Sequence, residues 1–439
     1  MSKRESAPAS TSTNQLVVYL DTSKSMAGYL PGQGAGETTF SRTLQELRNF
    51  ITLVNPPLDV LVRRVDVKVG EPLNNTVLST ASLDKSLYDG VETDLAGAFD
   101  LFPKNVAPGS ESNNLPARFH ILITDGVQST TQQRLDLSCT AGSDQLCVRK
   151  RIFDLLNQGW GGCVIGLRSE FDGVIYSEIN RAGHKPVSVP YKSDENDPQS
   201  LRPFYLYVFS PDREALEPFV TTLIDRLKPL TGQHPESLRV LPLSFRYAEG
   251  ASKGEATVPP VSSPSLKAQK KDTADIPEFT IGVEPATAQS GAVPFSLELT
   301  IPWSRALLSG SAQSDLVNAI QWELIPFYPD NPNPRSRYPE VKYLSAKANG
   351  EGRVTLQFTA QWPPNQVGDM CWRGFRLEGR LMPENQTPEW VRAWSTNNDT
   401  TREYGNRTLY LEGSLLGLWR NEVIKKQLVT EAVIVAGKR

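Results

Sequence analysis

The sequence predicts an α/β chain whose first half is a doubly wound parallel sheet and whose second half is an antiparallel, β-sandwich-like domain. Three observations carry this. At 439 residues the chain exceeds what one hydrophobic core usually serves, so two domains are expected. From Leu16 to about Leu230, uninterrupted apolar runs alternate with amphipathic helical patterns, as a parallel sheet covered on both faces requires. Beyond that point apolar and polar residues alternate at period two between turns rich in proline and asparagine.

Residues 1–13 are polar and read as a disordered tail. Leu16 to Leu20 (LVVYL) is a strand apolar on both faces. Phe40, Leu44, Leu47, Ile51 and Val54 recur at helical spacing, and Thr43 with Glu46 offers a capping box. Leu58 to Val69 reads as a strand, and Leu95, Ala98, Phe99 and Phe102 give a second helix face. Arg118 to Thr124 (RFHILIT) is the next strand, with Val148, Ile152, Leu155 and Leu156 marking the helix after it. Cys163 to Leu167 and Phe204 to Phe209 are further strands. Leu216, Phe219, Val220, Leu223, Ile224 and Leu227 close the series with a helix, so the first domain is expected over 14–230. In such a sheet a ligand sits beyond the carboxyl ends of the strands, which points to the residues after Leu20 and Thr124.

Residues 231–439 are expected to form the β-rich domain. Phe279, Ile281 and Val283 alternate, as do Phe295, Leu297, Leu299 and Ile301, then Val354, Leu356 and Phe358, then Phe375 and Leu377. The segment 249–275 is rich in Gly, Ser, Pro, Lys and Thr and reads as a flexible linker. Its KAQKK run is expected to be a solvated loop. LRVLPLSF, within 237–248, could add a strand to this domain, and Leu415, Leu416, Trp419 and Val423 suggest a helix near the C-terminus. Trp303, Trp322, Trp362, Trp372, Trp390 and Trp394 are read as packing residues rather than a carbohydrate platform.

Composition narrows the function. A net charge of -3 supplies no basic field for a polyphosphate chain, so nucleic-acid binding is not expected. Three histidines exclude a histidine-rich metal site, and four cysteines without a C-x-x-C pair exclude a disulfide framework. Cys139 and Cys147 could bridge a local loop in an oxidising compartment. The polar N-terminus and the lack of a long apolar run suggest a cytoplasmic protein that does not enter a membrane. The N-x-T triplets at Asn74, Asn385, Asn398 and Asn406 are then chance matches.

The chemistry concentrates in LVVYLDTSKSM. Asp21, Ser23 and Ser25 follow an apolar strand as D-x-S-x-S, so one carboxylate and two hydroxyls can aim hard oxygen donors at one centre, the donor type that Mg²⁺ takes. ILITDG places Asp125 at the end of another strand, and DGVETDLAGAF places Thr93 just ahead of a helix. Taken singly, each of these residues also suits a helix cap or a turn.

In this order the three pieces resemble the metal-ion-dependent adhesion site (MIDAS) of the von Willebrand factor A (vWA) domain family. The resemblance covers 14–230 and implies a vWA-like fold holding Mg²⁺ or Mn²⁺. Ser23, Ser25 and Thr93 would then supply hydroxyl ligands, with Asp21 and Asp125 acting mostly through water. One coordination position would stay open for the acidic side chain of a partner protein. Two departures stand out: Lys24 occupies a place usually given to a small residue, and 27–39 is a long glycine-rich stretch, read as a lid over the metal or as a surface insertion.

The expectation is a protein-binding module, not an enzyme, working within a multiprotein assembly, with an AAA+ ATPase as a partner suggested by family association. The alternative is a scaffold in which the metal only stabilises the loops. A haloacid-dehalogenase-type phosphotransferase is set aside because Ser23 stands where that chemistry needs a second carboxylate. No phosphate-binding glycine loop or nucleophile elbow is present. His120 and Cys163 read as core residues, and His184 as a surface residue.

Overall fold

The structure, a computed structural model, describes residues 14–32, 36–53, 58–103, 118–129, 144–177, 187–194, 196–232, 234–244, 253–257, 266–271, 276–283, 292–303, 313–327, 336–350, 352–362, 369–381, 388–415, 418 and 428–438. Cys139, His184 and Asn385 lie outside them. The chain divides into two units, Met1–Phe245 with Thr387–Asn421, and Arg246–Gln386 with Glu422–Arg439. In place of a single passage near residue 230, the first unit runs on to Phe245 and later takes back an excursion of the chain.

The strands of the first unit are β1 (Asn14–Asp21), β2 (Leu58–Val65), β3 (Arg118–Thr124), β4 (Gly161–Ser169), β5 (Asp172–Tyr176), β6 (Ser188–Lys192), β7 (Arg202–Ser210) and β8 (Leu238–Pro242). Its helices are α1 (Thr39–Leu53), α2 (Thr76–Ala81), α3 (Leu95–Leu101), α4 (Asp144–Asn157) and α5 (Arg213–Leu227). Six strands form one sheet in the order β2-β1-β3-β7-β4-β8. β1 runs parallel to β2 and β3, as expected.

The sheet is mixed, however, because β7 is antiparallel to both β3 and β4, and β8 is antiparallel to β4. The connection from β4 to β7 carries the hairpin β5–β6 and no helix among its described residues, and β7 returns antiparallel to β4. β8 is the LRVLP run, which joins this sheet rather than the second unit.

Every residue of β4 and β7 is buried, the mark of a sheet covered on both faces. Alternation along β7 shows what covers each face. Phe204 meets Phe40 of α1 edge-on at 5.1 Å, whereas Tyr207 and Phe209 meet Phe99 of α3 at 5.6 and 5.8 Å. His120 stacks on Phe102 at 4.8 Å inside this core, as its place in an apolar strand suggested. Cys163 is also buried, and burial pushes its thiol far above the usual range. Cys147 is disulfide-bonded, and Cys163 and Cys371 are free.

Two local readings change. Thr38 caps α1, its hydroxyl accepting from the Ser41 amide at 3.1 Å, while Thr43 lies inside the helix and donates to the Thr39 carbonyl at 2.8 Å. Within the 27–39 stretch, Gly28–Leu30 packs inward: Tyr29 is fully buried, and its hydroxyl donates to the Pro203 carbonyl at 2.5 Å.

The excursion packs on the same sheet. Ser395–Thr396 (β19) pairs with Thr408–Leu409 (β20), and the short helices Glu389–Ala393 and Leu411–Leu415 flank them. Trp394 is buried against Gly166, where a Cβ would come within 2.8 Å of its ring, and Arg168 lies 4.9 Å over that ring. Burial of Trp390 and Trp394 holds the segment in the first unit.

The second unit contains β9 (Lys253–Thr257), β10 (Leu266–Lys271), β11 (Glu278–Val283), β12 (Val293–Thr300), β13 (Ile320–Phe327), β14 (Ser336–Arg337), β15 (Glu340–Gly350), β16 (Arg353–Gln361), β17 (Asp369–Met370), β18 (Arg373–Leu381) and β21 (Leu428–Lys438). One sheet is ordered β10-β11-β21-β18-β13 and another β15-β16-β12-β9. Phe295, Leu297 and Leu299 of β12 with Val354, Leu356 and Phe358 of β16 form one buried face, as the alternation predicts.

The expected linker 249–275 carries β9 and β10, KAQKK included. Ladder hydrogen bonds to β12 and β11 outweigh its loop-like composition. The pairing is not wholly antiparallel, since β21 runs parallel to β11. β21 follows the excursion rather than a tight hairpin, so nothing local fixes its direction. Among the described residues no helix is long and apolar enough to cross a membrane.

Replacing Trp394 with Ala empties the contact that seats the excursion on Gly166. The expected loss is about 3–5 kcal/mol of first-unit stability, read by urea unfolding. Unchanged unfolding would show that the segment is held by other means.

Candidate functional site

The pairing register brings the two aspartates to one end of the sheet. β1 and β3 are neighbours with Leu20 opposite Ile123, so Asp21 and Asp125 close adjacent parallel strands. Both are buried, at 0% and 1% exposure. The Thr124 hydroxyl donates to Asp21 Oδ2 at 2.7 Å, and the Ser23 amide donates to Asp21 Oδ1 at 2.9 Å. The turn at Asp125 works because Gly126 takes φ +83°, a conformation open to glycine, and its amide donates to Thr124 Oγ1 at 3.0 Å.

The two serines follow directly. Ser23 Oγ and Ser25 Oγ lie 3.1 Å apart; Ser23 is buried and Ser25 half-buried. Thr93 arrives on a separate loop, laced in place from both sides. Gly90 exchanges backbone hydrogen bonds with Thr22 and Lys24, at 3.0 and 2.9 Å, and Thr93 with Ser129, at 3.2 and 3.0 Å. The Ser129 hydroxyl also accepts from the Thr93 amide at 2.8 Å. The Thr93 hydroxyl donates to Asp21 Oδ1 at 3.4 Å. Asp94 beside it is a helix cap, accepting from the Gly97 amide at 3.0 Å at the start of α3.

Hydrogen bonds link four of the sequence-selected residues, Asp21, Ser23, Ser25 and Thr93, and the fifth, Asp125, lies near enough to Asp21 to repel its charge. Lys24 is exposed rather than turned inward. Sequence reading missed four contributors: Thr124, Ser129, Arg202 and Thr408. The Thr408 hydroxyl donates to the Asp125 carbonyl at 3.1 Å and accepts from the Tyr205 hydroxyl at 3.0 Å. Arg202 is 2% exposed, and its Nη2 lies 3.3 Å from Asp125 Oδ2. Its Nη1 donates to the carbonyls of Gly405 and Arg407 at 2.8 and 3.3 Å.

Two forces act on the charges. Burial raises the Asp21 carboxyl from 3.8 to about 7, and repulsion from Asp125 adds to it, against the lowering hydrogen bonds from Ser23 and Thr124. Burial also works against the Arg202 charge, but its neighbours, Asp125 among them, hold it above the ordinary arginine value.

The donor set is hard and oxygen-only. Adjacent ligands on a Mg²⁺ ion at 2.0–2.1 Å stand about 3 Å apart, and the Ser23–Ser25 hydroxyl separation of 3.1 Å meets that spacing. Two carboxylates buried side by side also gain from a cation between them. Among the described residues no group of three or more His, Cys, Asp or Glu is placed to hold a metal, so hydroxyls would have to supply the remaining ligands. Comparison with protein families, curated proteins and solved structures finds no match to this chain.

The Asp21 shift has a testable sign. The folded carboxyl is raised above its unfolded value, so its contribution is fully present below about pH 4 and is lost as pH rises towards about 7. In metal-stripped protein, stability should fall by about 1.4 kcal/mol per pH unit across that window. Denaturant unfolding of wild type against Asp21→Asn reads it; a difference that stays flat from pH 4 to 7 would contradict the raised carboxyl.

Proposed function

We propose that the first unit is a vWA-like protein-binding module in which Asp21, Ser23, Ser25, Thr93 and Asp125 hold Mg²⁺ or Mn²⁺. The open position of that ion engages an Asp or Glu carboxylate of a partner protein. The convergence carries the reading. Three stretches of chain, 21–25, 93 and 125, lie at the carboxyl ends of adjacent parallel strands and offer oxygen donors there, which supports the reading. A packing role would not require Ser23 and Thr93 to bond the buried Asp21 carboxylate, with Ser25 beside Ser23.

The ion supplies a charged acceptor for the partner's carboxylate. The protein's part is to place it. Thr124 and the Ser23 amide orient Asp21, Ser129 fixes the Thr93 loop, and Arg202 fixes Asp125. Half-buried Ser25 leaves the cluster reachable from solvent. The antiparallel β7 departs from the all-parallel sheet the resemblance implied, and it alters the neighbour of Asp125 rather than the five residues. Assembly with an AAA+ ATPase rests on family association alone. The bonded Cys147 weighs towards an oxidising setting, against the cytoplasmic one expected from the sequence.

Titrating Mn²⁺ and Mg²⁺ into metal-stripped protein by calorimetry should give one binding event per chain, abolished in Asp21→Ala with the fold retained by circular dichroism. Identical heats from wild type and variant would sink the reading. Loss of thermal stability on chelation without loss of partner capture would instead favour the scaffold.

A further inference from the structure

We propose that one face of the second unit binds an oligosaccharide of β-linked pyranoses, whose sugar rings stack on Trp372 and Phe327. The face belongs to the sheet β10-β11-β21-β18-β13 and lies opposite the one that buries Phe279, Phe375, Leu377 and Ile434. Trp303, Trp362, Trp390 and Trp394 are buried, in keeping with the packing expected of them, whereas Trp372 is 43% exposed and Phe327 46%. The inference concerns the second unit alone and does not depend on the metal reading.

Bare backbone lies under both rings. Phe327 pairs with Gly374 across β13 and β18, and its ring occupies the space that a Gly374 Cβ would fill. The Trp372 ring does the same above Gly437 of β21. Each ring rests against the sheet and still meets water, so its exposed surface is held in place before any ligand arrives. Hydrogen-bonding groups stand beside the rings. Gln321, Glu323 and Ile325 continue the line of Phe327 along β13 at intervals of about 7 Å. Gln321 and Glu323 are exposed, and neither has a hydrogen bond or ion pair among the described residues. Arg376, opposite Ile325, is anchored through Nε to Glu378 at 3.1 Å and to Glu431, which leaves its Nη groups without a partner among the described residues.

The chemistry of the face selects its occupant. Apolar rings flanked by both donors and acceptors suit a ligand with C–H faces and hydroxyl edges, which a pyranose chain has. On β11, β21, β18 and β13, four carboxylates (Glu278, Glu323, Glu378 and Glu431) share the face with two guanidiniums (Arg376 and Arg380), so it offers a polyphosphate no footing. A second copy of the chain is also a poor fit. At their exposures the two rings offer about 100 Å² each, and with Ile325 they fall far short of the roughly 800 Å² per partner of a stable interface.

Calorimetry on the full chain tests this with cellohexaose, xylohexaose, maltohexaose and a proline-rich decapeptide. Wild type should bind at least one of the two extended β-linked chains, and more tightly than maltohexaose, whose α-linkages coil it away from two rings in succession. Trp372→Ala and Phe327→Ala should each weaken that binding about tenfold or more. Trp372→Phe keeps a ring and should keep most of the affinity, and Glu323→Ala should weaken it several-fold. Circular dichroism checks the fold of each variant; should one alanine variant not fold, the other decides. Four results overturn the inference: no binding of either β-linked chain, equal affinity for maltohexaose, unchanged affinity in the folded alanine variants, or capture of the decapeptide in place of the sugars.

Discussion

Two carboxylates buried side by side are the constraint around which the first unit is organised. Asp21 and Asp125 end neighbouring strands at 0% and 1% exposure, where ionisation of one opposes ionisation of the other. An unanswered pair of this kind would cost several kcal/mol, so the surroundings must supply compensation. Thr124, the Ser23 amide and the Thr93 hydroxyl answer Asp21. Arg202 answers Asp125. The cation proposed at the cluster would complete the balance.

The direction of one strand decides who answers Asp125. β7 runs antiparallel to β3, with Tyr205 opposite Thr124, so the first residue of β7 reaches the end of the sheet where β3 finishes. A parallel β7 would have carried Arg202 to the other end. The excursion 387–421 then contributes acceptors to the buried guanidinium. Gly405 and Arg407 accept from its Nη1, while Thr408 holds the Asp125 carbonyl. A segment nearly three hundred residues downstream of Asp125 in the chain is thereby part of the site's support.

What the sequence disclosed follows the range of the forces involved. Strands such as RFHILIT and helix faces such as Leu216 to Leu227 are local patterns, and both were found within a few residues of their bounds. D-x-S-x-S was legible because alternate residues after a strand act within one turn. Thr93 and Asp125 joined it through the resemblance. Strand direction and long-range pairing leave no local trace, so the mixed sheet, the transfer of LRVLP to the first unit and the return of the chain at Thr387 were not legible. Arg202 left one hint: a charged residue opening an otherwise apolar run, RPFYLYVF. Its meaning depended on knowing which way that strand runs. KAQKK misled for the opposite reason, since a loop-like composition was overruled by ladder pairing with β11.

The most direct test of the central claim is anomalous diffraction from crystals soaked in Mn²⁺. The account predicts a peak among the side-chain oxygens of Asp21, Ser23, Ser25, Thr93 and Asp125, bonded to at least two of the three hydroxyls. Mn²⁺ density elsewhere on the protein, with none among these five side chains, would contradict it.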